Sequence, residues 1–91
     1  MNKNQFKTTT EDSLGYSNGF QITFTNGNTV SVQFGKANYS DKGETTAEVA
    51  AWSSEPGQPW FKLSEHDEVR SRCSPNEVLE IMNTVANLPK P

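Results

Sequence analysis

Ninety-one residues with a formal net charge of −3 and 32% hydrophobic content describe one small domain with a thin core and little stability to spare. The mild acidity argues against a general nucleic-acid binder, which would present a basic face. No apolar run reaches the roughly 18 residues of a helical membrane span, and a single cysteine, Cys73, excludes an internal disulfide and fits a reducing cytosol.

Residues 1–18, "MNKNQFKTTTEDSLGYSN", are polar without a period and read as a flexible arm, with room for a short edge strand near Phe6 to Thr10. The single domain is expected over 19–91. Phe20, Ile22 and Phe24 alternate with polar residues, and so do Val30, Val32 and Phe34; the two runs flank "TNGN" and form a hairpin with one buried face. A two-residue Asn26-Gly27 turn would put the two apolar rows on opposite faces. A three-residue loop, Thr25-Asn26-Gly27 with Gly27 left-handed, pairs Ile22 with Val30 and keeps them together.

"TTAEVAAW", residues 45–52, reads as a third strand with Ala47, Val49 and Ala51 on one face, small enough to lie under a helix. "SSEPGQ" is a turn. "PWFKL", residues 59–63, reads as a fourth strand, which makes Trp52 and Trp60 a cross-strand pair. Residues 64–73 are charged and aperiodic. Ser74 as N-cap, Pro75 at the first helical position and Glu77 three residues after the cap open a helix that Pro89 ends. Its stripe is Val78, Ile81, Met82, Val85 and Ala86. The expected fold is α+β: a four-stranded antiparallel meander, ββββα, with the C-terminal helix packed on the sheet.

The segment "GKANYSDKG", residues 35–43, leaves the best strand and is long for a turn. It lacks the upstream glycine and following Ser/Thr of a P-loop. Asn38, Tyr39, Ser40 and Asp41 nevertheless supply an amide, an aromatic face with a hydroxyl, a hydroxyl and a carboxylate, a set suited to a sugar or a base. Lys62, Arg70 and Arg72, with Lys36, are candidate anion contacts, the arginines because alternate residues of an extended chain point the same way. Phe34 borders the loop. His66 and Cys73 are single residues in polar sequence, short of a zinc site or a nucleophile pair. A thiol one residue before a helix cap would be drawn somewhat toward the thiolate. Glu65, Asp67 and Glu68 read as a solvated face. No catalytic, metal or cofactor site is expected.

Asn18-Gly19-Phe20, Asn26-Gly27, Thr29 to Gly35, Asn38-Tyr39-Ser40, Ala47 to Trp52, and Ser74-Pro75 with Glu77-Val78 together resemble a group of small tailed-bacteriophage proteins. Their pattern is N-G-F, N-G, T-V-S-V-Q-[FW]-G-x-x-N-Y-[SC], a small-residue strand ending in Trp, and S-P-x-E-V. The resemblance covers about three-quarters of the chain, from residue 18 onward. It departs over 53–73, so nothing is carried over to Arg70 and Arg72. It implies phage origin and a place in the host cytoplasm, and brings no catalytic residues.

Among phage proteins of this kind, the expected function is to counter host antiviral defence by sequestering a signalling nucleotide without cleaving it. The expected ligand contacts are Phe34, Lys36, Asn38, Tyr39, Ser40, Asp41, Arg70 and Arg72. The low hydrophobic fraction and two tryptophans suit a homo-oligomer. The alternative is a protein inhibitor that masks a host defence enzyme through its acidic surface.

Overall fold

The computed structural model describes residues 4–8, 18–34, 46–63 and 68–89. Its elements are β1 (Gln5–Thr8), β2 (Gly19–Thr23), β3 (Asn28–Gln33), β4 (Ala47–Ser53), β5 (Val69–Cys73) and α1 (Pro75–Ala86). The strands form one antiparallel sheet in chain order, β1-β2-β3-β4-β5. The architecture is the expected α+β meander with a helix packed on it, built from five strands where four were read from the sequence.

The hairpin has the register that the apolar phase requires. Ile22 pairs with Val30. The Gly27 N–H donates to the Phe24 carbonyl and the Phe24 N–H to the Asn28 carbonyl, both at 2.9 Å, which closes a three-residue loop. Gly27 takes φ 86°, the left-handed conformation that such a loop assigns to glycine. The core behind it joins Val30 and Val32 to Ala47, Val49 and Ala51, with Cys73, Ile81 and Val85 closing it from β5 and the helix. The two alanines on the inner face of β4 are buried, and the helix lies over β3, β4 and β5.

Two differences lie in the second half of the sheet. Residues 59–63 are not a strand. Pro59 has no N–H to give a ladder, and the segment makes one bond to β4, from the Phe61 N–H to the Ala51 carbonyl at 2.8 Å. The remaining edge of β4 is taken by β5, where Cys73 pairs with Ala47, Arg70 with Val49 and Val69 with Ala50. The charged, aperiodic look of "EVRSRC" has a geometric cause: the register shifts between Ala47 and Val49, so Ser71 and Arg72 together stand opposite Glu48. Arg72 sits there at φ 55°, as the extra residue of a bulge commonly departs from strand geometry. The edge strand expected near Phe6 to Thr10 is β1, paired Phe6 to Ile22.

The helix begins as expected. Ser74 Oγ accepts the Glu77 N–H at 3.2 Å, and Glu77 Oε1 accepts the Ser74 N–H at 3.0 Å. Its other end is held from the hairpin loop. Asn26, buried, donates from Nδ2 to the carbonyls of Val85 (2.8 Å), Ala86 (3.2 Å) and Leu88 (3.0 Å), and its Oδ1 accepts the Asn28 N–H at 3.1 Å. No basic residue stands in the last turn, so a loop amide supplies the donors that helix C-termini require.

A candidate ligand-binding cleft at the tryptophan end of the sheet

Lys36, Asn38, Tyr39, Ser40 and Asp41 lie outside the described residues, as do His66, Glu65 and Asp67. Phe34 is half-buried against the core, and its N–H donates to the Asn18 carbonyl at 2.8 Å. Arg70 faces the helix and forms a salt bridge and hydrogen bond with the Glu77 carboxylate. Arg72 is exposed in the bulge, so simple alternation does not set the direction of the two arginines. Phe34, Thr46, Arg72 and the start of α1 nonetheless share one end of the sheet, because β3 ends, β4 begins and β5 ends there.

The tryptophans occupy the other end. Trp52 and Trp60 stack with ring centroids 5.2 Å apart and planes at 27°. The pair forms as expected, but Trp60 comes from the segment after the "SSEPGQ" turn and not from a strand. Trp60 is 46% exposed and separates two hollows. On one side lies an open cleft of about 650 Å³ whose walls include Trp60, Phe61, Lys62, Glu55, Asn28 and Leu88. On the other, across the outer face of the sheet, lies a groove of about 360 Å³ bordered by Gln21, Ser31, Gln33, Glu48 and Trp52. The cleft volume falls in the range of small-molecule sites, and its mix of apolar wall and few polar groups is the usual one.

The run of β3 from Asn28 to Phe34 spans about 20 Å at roughly 3.4 Å per residue. The tryptophan pair and Phe34 therefore lie toward opposite ends of the sheet.

No protein-family model, no curated protein and no solved structure matches the chain. The case for a site rests on the geometry. Among the described residues no group of three or more His, Cys, Asp or Glu is placed to hold a metal. The sequence signal for the cleft was present in the two tryptophans that flank the Pro56-Gly57 turn. The contribution of Leu88, from beyond the helix, carried no local signal.

Two groups near the sheet's other end have shifted protonation. The Glu77 carboxyl is held below its ordinary value of 4.5 chiefly by the Ser74 backbone N–H, then by the Ser74 side chain, with Arg70 adding to the effect and desolvation opposing it. A carboxyl depressed on folding contributes stability above its unfolded pKa, and that contribution is lost as pH falls through the folded value. The stability difference between wild type and Glu77→Gln should therefore be constant above about pH 5 and shrink below pH 4.5. Thermal midpoints from pH 2.5 to 7 measure it; parallel curves across the whole range would refute the assignment.

Burial pushes the Cys73 thiol up; Arg70 opposes this and Glu77 adds to it. The thiol is 1% exposed and donates to the Arg70 carbonyl at 3.5 Å. The pull of the nearby helix start, which favoured a thiolate, is outweighed by desolvation. Native protein at pH 8 should consume an aromatic disulfide reagent only as fast as it opens, and at once in denaturant. Rapid reaction of the folded chain would contradict the burial.

Proposed function

We propose that the protein binds a small ligand of the nucleotide class and sequesters it without cleaving it, with the ligand's planar ring against Trp60 and its anionic group at Lys62. The observation that carries this reading is the position of Trp60: braced from behind by Trp52 at 5.2 Å, half-exposed, and bordering a cleft that also contains Lys62. A braced indole offers a flat face at little entropic cost, and stacking a base on an aromatic is worth about 1–3 kcal/mol. The counter-defence role in an infected host follows from the resemblance to small phage proteins and is part of the same proposal. Lys36, Asn38, Tyr39, Ser40 and Asp41 are part of the same proposal as further contacts, with this ligand or with another partner.

The test is a thermal-shift series against cyclic di- and trinucleotides and ADP-ribose derivatives, followed by titration with Trp60→Ala, Lys62→Ala and Tyr39→Ala. A ligand bound only to the folded state must raise the midpoint. Trp60→Ala is expected to weaken binding about ten- to a hundred-fold, and Lys62→Ala to reduce its salt dependence. Loss of binding in Tyr39→Ala with Trp60→Ala unaffected would move the seat to the loop. No stabilisation at millimolar ligand would reject sequestration of these compounds and favour the protein-inhibitor reading, to be pursued by co-purification with host defence enzymes.

A further inference from the structure

Among the described residues the sheet ends at β1, whose four residues are all exposed. Phe6 is 80% exposed, the most exposed of the large hydrophobic side chains described. Its register with Ile22, and that of Ile22 with Val30 and Val30 with Ala51, puts it on the helix side of the sheet. The helix covers β3, β4 and β5. Phe20, Ile22 and Phe24 are only partly buried beside the core, and Phe6 extends this apolar row to the open edge.

We propose that this edge pairs with a second copy of the chain, the two β1 strands running antiparallel about a two-fold axis at Phe6, so that one sheet continues through both copies with both helices on the same side. Strand parity and charge select this register. Directly opposed residues of an antiparallel pair share a face. A two-fold axis perpendicular to the sheet must therefore pass through a residue that meets its own copy. In so short a strand the central choices are Phe6 and Lys7. Centring on Lys7 sets two ammonium groups face to face and leaves Phe6 against Thr8. Centring on Phe6 opposes the two phenyl rings and sets each Lys7 across from Gln5 of the other copy. Like charges directly opposed destabilise a pair and opposed aromatics stabilise it. Lys7, on the outer face, thus excludes one register while leaving the other open, which is how charges on edge strands commonly restrict pairing.

A closed two-fold contact is the usual form of self-association. A four-residue edge with one aromatic pair falls short of the roughly 1,200–2,000 Å² of a tight interface, so the dimer is a weak one that forms only at high protein concentration. This inference does not rest on the ligand reading, since the edge lies away from the cleft in the strand order.

The test is sedimentation of the full chain from about 5 µM to 1 mM, with Phe6→Lys alongside. Wild type should move from monomer to dimer mass, and Phe6→Lys should stay monomeric with an unchanged midpoint at low concentration, because the side chain is exposed. Register is read by air oxidation at high concentration of Asn4→Cys and Thr8→Cys chains, which keep both Phe6 and Lys7. With the axis at Phe6, Asn4 of one copy opposes Thr8 of the other, with Cα atoms about 4.5–5.5 Å apart and within disulfide reach. A mixture of the two variants should therefore cross-link, whereas Thr8→Cys alone, displaced by four residues from its copy, exceeds the roughly 7 Å limit and should not. Cys73 is buried and does not compete. A wild-type monomer at 1 mM, a Phe6→Lys dimer, or Thr8→Cys alone cross-linking as readily as the mixture would each overturn the proposal.

Discussion

Asn26→Ala is expected to cost about 2–4 kcal/mol and to lower the thermal midpoint by at least about 10 °C. The side chain is 6% exposed and its amide donates to three carbonyls at the end of α1. Alanine removes those donors from one buried and two partly buried contacts, so a large part of the desolvation cost is felt. The Asn28 N–H loses its Asn26 partner as well. Asn28 Nδ2 reaches the Val85 carbonyl at 3.4 Å and replaces only part of what is lost.

Asn26→Asp separates the donor from the shape. The variant keeps an oxygen for the Asn28 N–H but turns a carboxylate toward carbonyls at the negative end of the helix dipole. At neutral pH it should destabilise at least as much as alanine. Burial beside acceptors raises the folded-state pKa of the new carboxyl. Its deficit should then shrink as pH falls toward about 4, where the protonated group donates again. Chemical denaturation of the three proteins at pH 7 and pH 4.5 measures both effects. A loss under about 1 kcal/mol in Asn26→Ala would mean that the loop does not hold the helix end.

Gly19→Ala is the second large effect. Gly19 is buried and pairs with Gln33 at the start of β2. An added Cβ would lie 2.2 Å from the Val32 carbonyl oxygen and 2.9 Å from the Gln33 Cα. Both are backbone atoms of the neighbouring strand, so relief requires moving the β2–β3 ladder. Overpacking a core costs about 1–3 kcal/mol even when side chains can shift; against fixed backbone the expected cost is at least about 3 kcal/mol, a large share of a small domain's stability. Gly57→Ala is the comparison. Nothing lies within 4 Å of its added Cβ, but its φ is +80°, so it should lose only about 1 kcal/mol through left-handed strain. Equal losses in the two variants, measured by denaturant midpoint, would contradict the close approach at Gly19.

The sequence by itself determined the hairpin and the helix start. Period-two rows have to share a face, and that requirement alone selected the three-residue loop and the pairing of Ile22 with Val30. The Ser74–Glu77 capping box follows from groups three residues apart, and the alanines of β4 announced the helix above them. These are interactions between near neighbours, or between rows whose phase can be counted.

The tertiary structure decided which chain segment takes the second edge of β4, what Asn26 does, and where the thiol of Cys73 lies. Residues 59–63 carried the stronger strand propensity, yet β5 takes the edge of β4 from Ala47 to Ala50, and the 59–63 segment meets it at Ala51 through the Phe61 N–H. Asn26 looked like turn chemistry because its partners are about sixty residues away in the chain. Cys73 sits one residue before a helix cap, but packing under α1 sets its environment. In each case the deciding free energy is that of desolvating a group or leaving a backbone donor or acceptor unpaired. That depends on what the fold places next to the residue, and not on its neighbours in sequence.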